Sequence, residues 1–164
     1  MDEFLRIADQ MVIYNLRKSW FQISKLYNEM AAEHDTTVSV AFVLLAINEE
    51  EGTPVTRIAP RMGMEPNSLS RILKSMEEKG FIYRKKNDVD KRMAYVFLTD
   101  FGKAKREIAL RAVFRLEKAI GNQIEESKLE AFFEVARHIP NAIDEFKEKM
   151  ASFENQKDIT LKGI

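Results

Sequence analysis

Apolar residues recur with a helical period along most of the chain. Residues 1–33 contain neither Gly nor Pro, and their apolar positions repeat every three or four residues on two neighbouring stripes. This pattern predicts one long N-terminal helix that is apolar on more than one side, so we expect a second chain to cover part of it. Three shorter helices follow. They are predicted from Val40 to Ile47, from a Thr53-Pro54 start to Met62-Gly63, and from Pro66 to Lys79-Gly80.

The period changes from 3.6 to 2 after this third short helix. Residues 81–84 and 93–98 read as two strands, joined by a charged turn over 85–91. A hairpin this short is unstable alone, so it must pack against the preceding helices.

Two further helices are predicted after the hairpin. Thr99 or Asp100 caps the first, and the second runs from about Glu125 to Met150 with a kink at Pro140. From residue 152 the chain is polar and without pattern, and we expect this tail to be poorly ordered.

Composition excludes several functional classes. The 164 residues include no Cys and two His, about a hundred positions apart, so neither a disulfide framework nor a zinc-thiolate site is expected. No phosphate-binding Gly loop, nucleophile elbow, His-Glu-x-x-His motif or catalytic triad occurs, and we predict neither an enzyme nor a cofactor. With no membrane-length apolar run and no basic signal-peptide start, we expect a single-domain cytoplasmic protein.

Net charge is zero, yet the charges are unevenly distributed. Residues 53–107 hold 13 basic and 7 acidic side chains, against 4 and 9 in residues 1–52 and 9 and 10 in residues 108–164. The densest basic cluster consists of Arg84, Lys85, Lys86, Lys91 and Arg92. A localised basic patch is what docking onto a polyanion requires, although chance asymmetry of a solvated surface would give the same count.

Two short helices joined at Gly63 and followed by a basic hairpin match a helix-turn-helix with a wing. Polar residues near the start of the second helix can reach base edges, and basic residues of the wing can lie along phosphates. The predicted DNA-binding residues are Asn67, Ser68, Ser70, Arg71, Lys74, Arg84, Lys85, Lys86, Lys91 and Arg92. Taken singly, Ser68 and Ser70 are better explained by ordinary solvation of a helix surface and Arg71 by a structural ion pair; the ordered combination of elements is what favours DNA binding. The alternative reading is a helical protein–protein interaction module without DNA affinity.

Three segments resemble the multiple-antibiotic-resistance regulator (MarR) family. Residues 67–84 are similar to the family's recognition helix, which ends in Leu-Glu-x-x-Gly, an apolar pair and Arg. Asp90-Lys91-Arg92 is similar to its Asp-x-Arg wing tip, and Leu98-Thr99-Asp100-Phe101-Gly102 to its strand-to-helix junction. Pro60 departs from the family pattern and should shorten or bend its helix. Met76 replaces the usual Leu at nearly constant volume.

The resemblance implies a mainly α (α+β) fold, a winged helix-turn-helix with long N- and C-terminal dimerisation helices. Residues 1–36 and 100–151 would form the dimerisation helices, 37–99 the DNA-binding lobe and 152–164 the disordered tail. It further implies a homodimer on palindromic double-stranded DNA, as a repressor in preference to an activator. Members that sense oxidants use Cys near the first helix, and this chain has none.

The resemblance also implies a small aromatic or carboxylate effector, bound between the dimer helices and the lobe. The candidate ligand-binding residues are Tyr14, Arg17, Trp20, Phe21, Tyr27, His34 and Phe42. Arg17 would pair with an anion, and the aromatic rings would stack on the ligand. The alternative is that these rings fill a core, that Arg17 is solvated and that His34 is a cation at a helix C-terminus.

Overall fold

The N-terminal apolar stripe forms two helices in the computed structural model, which describes residues 3–86 and 94–161. Helix α1 spans Glu3–Ala8 and α2 spans Val12–Ala32. The side-chain amide of Asn15 donates to the carbonyl oxygens of Asp9 (2.8 Å) and Met11 (2.9 Å). The prediction of one continuous helix is therefore wrong, because a side-chain amide stabilises a turn at a point where the sequence has neither Gly nor Pro.

The segment after α2 leads into the first helix of the lobe. Helix α3 spans Val38–Ala46, and the Thr37 hydroxyl caps it by accepting from the backbone N–H of Val40 at 3.3 Å. Thr53 was predicted to cap the next helix. Instead its buried hydroxyl accepts from the N–H of Asn48 at 2.8 Å, and Thr53–Pro54 forms a short strand, β1.

Helices α4 and α5 form the helix-turn-helix. Helix α4 spans Val55–Met62, with Pro54 as its N-cap, and is eight residues long with Pro60 inside it. Gly63 ends α4 in the left-handed conformation (φ 58°), which Gly adopts without steric cost. Helix α5 spans Pro66–Glu78 with Pro66 in its first turn, as predicted.

The wing is part of a three-stranded antiparallel sheet with the order β1-β3-β2. Strand β2 spans Ile82–Lys86 and β3 spans Ala94–Leu98, with Ile82 opposite Leu98 and Lys86 opposite Ala94. Pairing of β1 with β3 ties the wing to the start of α4, and the sequence analysis did not predict this pairing.

One apolar core joins the helix-turn-helix to the wing. Its fully buried side chains come from α3 and its C-cap residue, from α4 and α5, and from both wing strands, and they are Val43, Leu44, Ile47, Ile58, Leu69, Leu73, Met76, Ile82 and Val96. Because α5 contributes three of these side chains, its orientation relative to the wing is fixed by packing.

Helix α6 spans Asp100–Gly121 and begins at a tightly packed junction. The Thr99 hydroxyl accepts from the N–H of Gly102 at 3.0 Å, so Thr99 is the predicted cap. The same hydroxyl donates to the carbonyl oxygen of Gly80 at 2.6 Å. A Cβ at Gly102 would clash with the backbone carbonyl of Phe81, which is why this position requires Gly.

The chain divides into two compact units, residues 1–115 and 116–164. The second unit contains the end of α6 and helix α7, which spans Glu126–Leu161 and passes through Pro140. This helix ends beyond the predicted Met150, because no Gly or Pro interrupts residues 141–161. Among the described residues, no helix is long and apolar enough to cross a membrane.

Each unit exposes large apolar side chains. In the first unit, Ile13 of α2 is 75% exposed and Phe21 is 68% exposed. In the second unit, α7 exposes Phe132, Phe133, Val135, Ile143, Phe146 and Met150. Apolar surface of this extent on single helices is typical of helices that pack against another chain.

Candidate nucleic-acid interface

Helix α5 has one buried face and one exposed polar face. Leu69, Leu73 and Met76 are buried in the core. The predicted base- and phosphate-contacting residues are all exposed, and they are Asn67, Ser68, Ser70, Arg71 and Lys74. The structure therefore brings together on one helix the residues that the sequence analysis selected there. With its polar residues outward, α5 has the character of a recognition helix.

The Ser70 hydroxyl is partly committed within the helix. Its Oγ donates to the carbonyl oxygen of Pro66 at 3.0 Å, so the hydroxyl hydrogen is already used. The oxygen can still accept, and the donors that bases present in the major groove are the exocyclic amines of adenine and cytosine. Ser70 is therefore suited to accept a hydrogen bond from one of these amines.

Arg84 and Lys74 lie beside acidic side chains. Arg84 Nε lies 3.3 Å from Glu77 Oε2, and Lys74 Nζ lies 4.0 Å from Glu78 Oε1. The Arg84–Glu77 pair links strand β2 to the recognition helix, a contact that the sequence analysis did not anticipate. Arg84 therefore stabilises the contact between the wing and the recognition helix, in addition to being a cation at the surface.

The described part of the wing is basic and exposed. Lys85 and Lys86 are both exposed at the end of β2, and Lys86 shares a sheet face with Arg84 because side chains alternate along a strand. The predicted contacts Lys91 and Arg92 lie outside the described residues, as does the Asp90 of the wing-tip motif.

Helix α4 adds two exposed residues that the sequence analysis missed. Thr56 and Arg57 are exposed on the first helix of the motif, whereas Ile58 and Ala59 are buried. Arg61 is also exposed, but its guanidinium donates to the carbonyl of Ala46 at 3.2 Å. The missed signal is the polar pair at the start of α4, where a helix-turn-helix crosses the phosphate backbone.

A cavity of about 360 Å³ lies within the first unit. It is lined by the end of α2, by α3 and by α6, and the candidate ligand residues Tyr27, His34 and Phe42 are among its walls. The other four candidates, Tyr14, Arg17, Trp20 and Phe21, do not line it. The ring of Trp20 contacts that of Phe42, with centroids 6.0 Å apart, so this tryptophan borders the cavity wall.

The lysine and arginine side chains that line the cavity come from α6. Lys105, Arg111 and Arg115 line it, against one acidic residue, Glu33. The sequence analysis missed these three cations, because nothing in a linear pattern indicates that α6 faces the end of α2. The buried Thr36 hydroxyl, also on the wall, has no hydrogen-bond partner among the described residues.

Helix-turn-helix, basic wing and exposed recognition helix define the winged-helix class of DNA-binding folds. The computed structure is similar to that of MepR from Staphylococcus aureus in a complex with DNA, with a TM-score of 0.73 and 19% identity over 80% of this chain and 98% of that one. It is also similar to PcaV from Streptomyces coelicolor in complex with its natural ligand, with a TM-score of 0.69 and 20% identity over 80% and 93%.

Sequence comparisons specify the family. The MarR family model matches residues 37–93. The HTH-type transcriptional regulator TtmR of Methylorubrum extorquens is 30% identical over 95 residues, 58% of this chain and 49% of TtmR. The aligned segment thus spans about half the length of this curated relative. The predicted resemblance is confirmed for residues 37–93, the segment that matches the MarR family model.

Proposed function

We propose that this protein is a sequence-specific DNA-binding transcriptional repressor that acts as a homodimer on a pseudo-palindromic operator. The observation that carries this proposal is the exposed face of α5, where Asn67, Ser68, Ser70 and Arg71 lie together beside a basic wing. TtmR and MepR support it, since one is a transcriptional regulator and the other is seen bound to DNA.

In this proposal the exposed residues divide into two groups. Short side chains at the start of α5, above all Ser68 and Ser70, read base edges at close approach. Lys85, Lys86, Lys91 and Arg92 of the wing, with Lys74 and Arg57, contact phosphates and carry no base information. Arg71 is long enough to reach either partner. Arg84 interacts both with a DNA phosphate and with the carboxylate of Glu77.

A homodimer accounts for the exposed apolar helices. The apolar side chains of α1, α2 and α7 would be covered by the second copy, as the sequence analysis expected. Two recognition helices related by a two-fold axis then read half-sites about one helical turn apart, roughly 10 to 11 base pairs.

The test compares specific with non-specific binding on fragments selected from the genome. We expect a log–log salt slope of roughly −5 to −9 for a dimer that neutralises about 3 to 5 phosphates per protomer. Ser70→Ala should cost about 1–3 kcal/mol on the operator and leave random-DNA affinity nearly constant. Lys86→Ala, the matched phosphate control, should weaken both equally.

Two results would overturn the proposal. A flat salt response would favour the protein–protein interaction module. The second result is that Ser70→Ala, like Lys86→Ala, weakens binding to operator and to random DNA by the same factor. Helix α5 would then position the protein on DNA without reading the base sequence.

The proposal includes a small aromatic or carboxylate effector that releases the operator. The cavity supports it, because aromatic rings and cations lie on the same walls and because PcaV was captured with a natural ligand. Of the residues chosen from the sequence, Tyr27, His34 and Phe42 remain the proposed ligand contacts.

A further inference from the structure

Lys105 touches both connections through which the DNA-binding lobe is joined to the helices beside it. The first connection is the turn after α2, and the second is the junction that begins α6. Lys105 itself lies on α6, one turn past that junction, and it also lines the cavity.

At the first connection, Lys105 Nζ donates to the carbonyl oxygen of His34 at 2.7 Å. This carbonyl belongs to the turn that ends α2, where Asp35 has a positive φ of 53°. An ammonium is favoured at a helix C-terminus because the last carbonyl groups lack partners within the helix. Lys105 therefore ties α6 to the turn that leads into α3.

At the second connection, the same ammonium lies over the ring of Phe101, 5.3 Å from its centroid. Phe101 in turn packs edge-on against Phe81, with centroids 5.2 Å apart. Phe81 is buried, and its backbone N–H donates to the carbonyl of Met76 in the last turn of the recognition helix at 2.9 Å. A short series of contacts thus runs from the cavity wall to α5.

We propose that Lys105 is the residue through which an anionic ligand in the cavity controls the DNA-binding lobe. This inference rests on the proposed effector site and names its mode of regulation. A carboxylate is a stronger acceptor for an ammonium than a peptide carbonyl, since both partners are charged. A bound anion draws Lys105 away from the His34 carbonyl and from Phe101, which loosens both connections of the lobe.

Arg111 provides a matched control on the same helix. It also lines the cavity, but its guanidinium lies 3.3 Å from Glu107 Oε1, an ion pair within α6 itself. Lys105→Met and Arg111→Met each remove one cation from the cavity. Only Lys105→Met removes the link between the two connections.

The first experiment measures ligand binding without DNA. Benzoate and cinnamate, each with its neutral amide, are titrated into the full-length protein by calorimetry and followed by the emission of Trp20, the only tryptophan. We expect the carboxylates to bind the wild type at least tenfold more tightly than the amides. Lys105→Met should abolish this preference, Arg111→Met should keep it within about threefold, and Lys105→Arg should restore most of it.

The second experiment measures coupling to DNA. For the wild type we expect a saturating carboxylate to weaken operator binding by about 5- to 150-fold, and bound operator to weaken the carboxylate by the same factor. Phe101→Leu should bind the carboxylate within threefold of the wild type but lose most of the coupling. Thermal melting of each variant shows whether it is folded.

The outcomes separate this inference from the proposed function. Two results overturn the role of Lys105 even if operator binding is normal. The first is a wild type that binds carboxylates no more tightly than their amides. The second is an equal loss of this preference in Lys105→Met and in Arg111→Met. Full coupling in Phe101→Leu overturns the route through Phe81. If the protein binds no operator, the proposed function fails, while the first experiment still decides whether Lys105 reads the anion.

Discussion

Replacing Thr99 by Val tests the junction between the wing and α6. Thr99 Oγ1 donates to the Gly80 carbonyl at 2.6 Å and accepts from the Gly102 N–H at 3.0 Å. Valine has nearly the same shape, so the substitution removes these two hydrogen bonds without creating a cavity. The backbone bond from the Thr99 N–H to the Phe81 carbonyl, 3.0 Å, is unaffected.

The expected loss follows from these two bonds. Removing the N-cap of α6 costs about 1 kcal/mol. Losing the hydrogen bond to the Gly80 carbonyl costs about 0.5 to 1.5 kcal/mol more, since Gly80 is exposed and water can take the place of the hydroxyl. We therefore expect Thr99→Val to lower the free energy of unfolding by about 1.5 to 2.5 kcal/mol, which is roughly a 10- to 70-fold change in the unfolding equilibrium.

Urea unfolding followed by circular dichroism, at one fixed protein concentration, measures this loss. Thr99→Ser is the control, because it retains the hydroxyl and removes only a methyl group, at about 1 kcal/mol or less. Equal unfolding free energies for Thr99→Val and Thr99→Ser would refute the reasoning. The hydrogen bonds of the Thr99 hydroxyl would then contribute no more to stability than the methyl group that Thr99→Ser removes.

Three further predictions concern the junction and the DNA-binding surface. Gly102→Ala places a Cβ against the Phe81 carbonyl, so urea unfolding should show a loss of about 1–3 kcal/mol, and wild-type stability would contradict the close packing. Glu77→Gln frees Arg84 for phosphate in both protomers, so the salt dependence of DNA binding by the dimer should steepen by about two units of slope; an unchanged slope would leave Arg84 as a purely structural residue. Replacing both Lys85 and Lys86 by Ala removes up to four phosphate contacts from the dimer, two in each protomer, so it should reduce that slope by about four units and weaken operator and random DNA alike; an operator-selective loss would contradict this expectation.

The helix-turn-helix could be predicted because its boundaries depend on local chemistry. Gly63 and Gly80 both adopt positive φ values at the positions where the sequence predicts helix ends. Pro66 lies in the first turn of α5, where proline's fixed φ and missing N–H are favourable. The polar face of α5 followed directly from the periodicity, since the buried positions fix which residues remain outside.

Features that depend on distant partners could not be predicted. Thr53 and Pro54 have the composition of a helix start, and only the pairing with β3 makes them a strand. The break before α2 depends on one amide side chain. Lys105 reads as an ordinary helical lysine, because its contact with His34 spans 71 positions of sequence. Such contacts are set by the tertiary fold and leave no local pattern.

The zero net charge limits how this protein can attract DNA. Exposed charges farther apart than about 8 Å are largely screened at physiological ionic strength. Attraction therefore arises mainly from the cations that reach phosphates, and two of these, Lys74 and Arg84, are offset by Glu78 and Glu77 at the same surface. Non-specific affinity should therefore be modest. Operator selectivity then depends on the uncharged groups at the start of α5, which is why Ser70 rather than a wing lysine is the decisive residue to change.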